Sequence, residues 1–63
     1  MKKLKLHREK RHLSLAKMAL KFDITPSYLW MLENGQRQAS LKLLWRIQFV
    51  TKIPISKLIK DDK

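Results

Sequence analysis

Sixty-three residues leave room for one domain, and a chain this short buries only about 60% of its unfolded surface, so no separate catalytic or sensor module is expected beside the core. Fifteen Lys and Arg against five Asp and Glu give a formal charge of +10, a field that attracts polyanions and points to nucleic acid or an anionic membrane surface. The lack of cysteine excludes disulfides and thiolate metal sites and fits a reducing compartment, while 44% apolar residues are too many for a disordered basic tail.

The opening Met1-Lys2-Lys3-Leu4 has the charge of a signal-peptide start, but His7-Arg8-Glu9-Lys10-Arg11-His12 follows where an apolar segment would be needed. No stretch reaches the ~20 apolar residues of a membrane span. The expected location is therefore cytoplasmic, and with DNA as partner, the nucleoid. Between the strong breakers Pro26, Gly35 and Pro54, apolar residues recur at three- and four-residue steps, the helical period.

A first, highly charged helix is predicted over residues 2–11, with His12 in a left-handed cap. Ser14 caps a second helix whose inward stripe is Leu15, Met18, Ala19 and Phe22. Asp23 and Ile24 make the next turn. Thr25 then caps a third helix over about 26–34, with Pro26 in the first turn, where a missing N–H costs nothing. Leu29 and Leu32 face inward, and Asn34-Gly35 ends the helix rather than forming a hairpin, because no alternating strand residues flank it. After a polar loop from Gln36 to Ala39, Ser40 caps a fourth helix, whose Leu41, Leu44 and Ile47 are spaced by three. Pro54 stops it, and Ser56 is the expected cap of a last short turn through Leu58 and Ile59. The fold expected is all-α: one compact five-helix domain over residues 1–63.

Two short helices joined by a tight turn, the second opened by Thr-Pro, have the shape of a helix-turn-helix, and the small Ala19 would let the pair cross closely. The stretch Leu13-Ser14, Met18-Ala19, Phe22-Asp23-Ile24-Thr25-Pro26-Ser27-Tyr28-Leu29, Leu32-Glu33-Asn34-Gly35 and Ser40-Leu41 resembles the Cro/repressor helix-turn-helix family, of the xenobiotic-response-element type, over about residues 4–58. The order and spacing of these pieces carry the resemblance, Thr-Pro-Ser-Tyr-Leu with Leu-Glu-Asn-Gly above all. It implies a lambda-repressor-like fold, helix-turn-helix in the second and third helices, with the third in the major groove of DNA. It further implies a buried ion pair between Arg8 and Glu33.

Carried over by position, the base-edge readers are Pro26, Ser27 and Met31, with Tyr28 beside them. None is an Arg, Asn or Gln, so readout is expected to lean on thymine methyls, DNA shape and flanking basic residues. Backbone phosphates are expected at helix N-termini and the loop after Gly35: Ser14, Lys17, Thr25, Asn34, Gln36, Arg37, Gln38, Ser40 and Lys42. Lys2, Lys3, Lys5, Lys10 and Arg11 add a general positive field. Three positions depart from the family pattern. Leu15 stands where Gln often contacts the backbone. His7 takes a place usually held by Leu, so a slight rotation that buries the neighbouring Leu6 is expected. Trp30 is expected to be partly exposed, either on a sugar-phosphate edge or against the fourth helix.

An enzyme is a poor reading: the two His lack evident Ser or Asp partners. His7 and His12 lie five apart on different helix faces without a further ligand, so neither metal nor other cofactor nor small-molecule ligand is expected. A membrane-surface peptide needs none of the caps or the later helices. Trp45, Phe49, Ile53 and Ile55 exceed what a small core requires, and a homodimer through them would pair two recognition helices on a near-palindromic site. The same surface leaves open an alternative function, a protein-interaction module of antitoxin or anti-repressor type. The favoured reading is a phage- or plasmid-style repressor of transcription acting on double-stranded DNA.

Overall fold

Helix boundaries in this chain follow from a repeated piece of local chemistry. A computed structural model describes residues 1–60, so residues 61–63 of the expected domain lie outside it. Five helices are present among the described residues: α1 (Lys2–Lys10), α2 (Leu15–Phe22), α3 (Pro26–Glu33), α4 (Leu41–Thr51) and α5 (Ile55–Lys60). At the starts of α2, α3 and α4 a hydroxyl oxygen accepts from the backbone N–H three residues on. Ser14 accepts from Lys17 at 3.1 Å, Thr25 from Tyr28 at 3.1 Å and Ser40 from Leu43 at 3.2 Å. Each satisfies a donor that the helix itself cannot.

The first three helices end alike. His12, Asp23 and Gly35 take left-handed φ of 54°, 58° and 72°. Each begins a Schellman pair of backbone bonds: His12 N–H to Glu9 and Leu13 to Arg8, Asp23 to Leu20 and Ile24 to Ala19, Gly35 to Leu32 and Gln36 to Met31. A lysine ends α4 in the left-handed region too, Lys52 at φ 67°, but with a single bond from its N–H to the Gln48 carbonyl.

The core gathers Met1 and Leu4 with Met18, Ala19 and Phe22 of α2, Leu29 and Leu32 of α3, Leu43 and Ile47 of α4, and Leu58 of α5. Helix α2 packs on α3 and α4, while α1 bridges α3 and α5. This is the lambda-repressor-like arrangement. Ala19, almost fully buried, carries no bulk to hold α2 and α3 apart.

Several expectations are corrected by this packing. The inward row of α4 is Leu43, Ile47 and Thr51; Leu41 is 66% exposed and Leu44 only half-buried. Apolar residues nearly encircle α4, so its period alone could not choose the buried side. Leu6 stays 54% exposed, because Met1 and Leu4 fill the space beneath α1. His7 is half-buried and accepts through Nε2 from Arg11 Nε at 2.9 Å. Ser56 lies inside α5 and is not its cap. The Pro54 carbonyl accepts from Lys57 and Leu58, and the Gln48 side-chain oxygen accepts the Ile55 N–H at 3.0 Å.

Candidate nucleic-acid interface

Leu29, Leu32 and Glu33 occupy the buried side of α3, so its opposite side is fixed as the outer one. At roughly 100° per residue, Pro26, Trp30, Ser27 and Met31 follow one another around that outer side. They line one open, shallow depression, joined by Leu15 from the first turn of α2 and Gln36 from the following loop. Pro26 and Ser27 are exposed, Met31 is half-buried and Trp30 is 45% exposed.

Three of the four expected base readers are thus neighbours, and the fourth is not. Tyr28 lies about 200° round from Pro26. It is half-buried and lines a second depression with Ile24, Ser40, Lys42 and Arg46. Its hydroxyl donates to the Gln38 carbonyl at 3.5 Å, and Arg37 sits over its ring, 5.8 Å from the centroid. Tyr28 therefore organises the loop after α3 rather than extending the outer face.

Trp30 holds the place next to the readers that sequence reading left undecided. It lines the readers' depression together with Leu15 and Gln36. The signal was available: rotation by 100° per residue seats it between Pro26 and Ser27. Its indole N–H has no acceptor among the described residues.

All nine residues expected at phosphates are exposed: Ser14, Lys17, Thr25, Asn34, Gln36, Arg37, Gln38, Ser40 and Lys42. Ser14, Thr25 and Ser40 mark three helix N-termini, where first-turn N–H groups carry partial positive charge. Of the first turn of α2, Leu15 is the residue that lines the α3 depression. Asn34 is held by its side-chain amide, which donates to the Trp30 carbonyl at 2.8 Å.

A frame behind α3 keeps this face in place. Arg8 donates from Nε and Nη2 to the two Glu33 oxygens at 2.8 and 3.1 Å, and from Nη1 to the Leu13 carbonyl at 2.9 Å. Their side chains are 14% and 1% exposed. The hydrogen bond to Glu33 raises the Arg8 guanidinium above its ordinary range, against the opposing effect of partial burial. The Met1 nitrogen donates to the Leu32 carbonyl at 3.1 Å and to that of Glu33 at 3.4 Å. Arg46 closes the other helix of the pair, donating to the Phe22 carbonyl at 2.9 Å. Neither contact had a local sequence signal, since their partners are 31 and 24 residues away.

On α4, Trp45 and Phe49 are 56% and 78% exposed and continue the four-residue step of Leu41. Of the residues expected at a dimer interface, Ile53 is instead half-buried against the core, and Ile55 is half-buried. The outward apolar row is Leu41, Trp45 and Phe49.

No curated protein and no solved structure matches the chain significantly. No helix among the described residues is long and apolar enough to cross a membrane. A family model described as Helix-turn-helix matches residues 4–58, nearly the whole five-helix body. The chain belongs to this helix-turn-helix family, of Cro/repressor type, a family of DNA-binding domains rather than enzymes.

Proposed function

We propose that this protein is a sequence-specific regulator of transcription that lays α3 in the major groove of duplex DNA and represses by occupying a promoter. The observation that carries the reading is the outer side of α3. It is an open face lined by Pro26, Ser27, Trp30 and Met31 with Leu15 and Gln36, on a chain whose formal charge is +10. Base edges fall to Pro26, Ser27, Met31 and Trp30. Phosphates fall to the nine polar and basic residues around them, while Tyr28 holds the loop that presents Arg37 and Gln38. The place of action is the cytoplasm, at the nucleoid, and no cofactor is required.

Selection of bound sequences from random duplex DNA tests this. An enriched motif is expected, and equal, feeble affinity for every duplex at physiological ionic strength would overturn the reading. Two such motifs with fixed spacing are expected as well, because the row Leu41, Trp45 and Phe49 gives a second copy an apolar face to dock on. That row also supports a second reading, in which the domain acts through a protein partner. Sedimentation of the free protein separates the two: self-association favours the dimeric repressor, and a strict monomer at high concentration favours the partner.

A further inference from the structure

We infer that the outer face of α3 reads DNA through the C5-methyl groups of thymine, with Trp30 as a specificity-determining residue at its centre. The inference rests on the DNA-binding reading above. Hydrogen-bonded discrimination in the major groove relies on Arg or Lys for guanine, Asn or Gln for adenine and carboxylates for cytosine. None of these types projects from the outer side of α3. Its residues are Pro26, Ser27, Trp30 and Met31, and the one charge on the helix, Glu33, is buried against Arg8. Leu15 extends the apolar surface onto α2, and Gln36 of the following loop contributes the one amide side chain in its lining.

What such a surface can recognise is hydrocarbon. Thymine alone among the ordinary bases presents a methyl group in the major groove, beside its O4 acceptor. The indole supplies an apolar edge and, in the same ring, a hydrogen-bond donor without a partner among the described residues. That pairing complements a methyl next to a carbonyl oxygen. The surrounding charge brings the duplex in, and the face it brings to the base edges is apolar. Burying one methyl group is worth roughly a four-fold gain in affinity, so two or three contacts give roughly sixteen- to sixty-fold discrimination.

The test replaces thymine by deoxyuridine throughout the selected site, which removes the methyl groups and leaves pairing and phosphate charge intact. Wild-type protein is expected to bind the deoxyuridine duplex roughly sixteen- to sixty-fold more weakly, with the same dependence on salt, because the phosphate contacts are unchanged. Trp30→Ala is expected to weaken binding to the thymine duplex and to shrink the thymine-to-deoxyuridine ratio at least three-fold, the signature of coupling between the two. Trp30 is half-exposed, so the variant keeps its melting midpoint. Equal wild-type affinity for both duplexes overturns the inference and leaves DNA binding standing. A Trp30→Ala variant that keeps the full ratio overturns the role of Trp30. Absence of any preferred site overturns the DNA reading and this inference with it.

Discussion

Two neighbouring helices each turn an apolar surface to solvent, and the two surfaces are built differently. On α3, Pro26, Ser27, Trp30 and Met31 line a depression together with Leu15 and Gln36. On α4, Leu41, Trp45 and Phe49 form a ridge at four-residue steps, with Lys52 5.7 Å from the Phe49 ring centroid. Exposed hydrocarbon alone does not name a partner. Partial charges at helix N-termini and an exposed basic loop suit the first surface to a polyanion. The ridge on α4 has the form of a helix-packing row and suits another protein surface.

The largest effect should come from the frame that α3 depends on. Glu33→Gln leaves the partly buried Arg8 without its counter-ion, and the expected loss is about 3–5 kcal/mol, read as a lower melting midpoint. Both surfaces should fail together, because α1 and α3 lose their common tie. An unchanged midpoint would mean that the pair contributes nothing to the frame.

Phe49→Glu sharpens the contrast next. It should abolish self-association and weaken binding to a two-half-site operator at least ten-fold, while the isolated domain melts within about 0.5 kcal/mol of wild type. Equal operator affinity would take the ridge out of DNA binding. Thr25→Ala removes the oxygen that accepts the Tyr28 N–H and should cost about 1 kcal/mol, measured by urea unfolding. The smallest effect belongs to a group on neither surface. Partial burial, and then the Arg11 guanidinium, hold His7 below the ordinary imidazole range. The unfolded chain therefore takes up the proton first, so stability should decline slightly as pH falls through the ordinary imidazole value of about 6.5 and level off below the folded value. His7→Leu should flatten that part of the pH–stability curve.

Much of the fold was legible in the residues because helix ends are local events. Ser14, Thr25 and Ser40 act on N–H groups three residues away, and His12 and Gly35 turn the chain within the same short reach. The resemblance added the Arg8–Glu33 pairing, which no local rule supplies. The candidate site was legible in part. Pro26, Ser27 and Met31 were grouped in advance, whereas Tyr28 and Trp30 exchanged weight once their rotation around α3 was referred to the buried Leu29, Leu32 and Glu33.

Composition and residue order by themselves determined the charge, the number of helices, most of their caps and the helix-turn-helix pair. Only the tertiary structure decided which side of each helix turns inward. It buried Leu43 in place of Leu41, left Leu6 outside and drew Ile53 toward the core. The physical reason is reach. A cap is settled within a few residues of chain, but on a helix with apolar residues all round, the buried face is chosen by surfaces that other helices bring from far along the sequence.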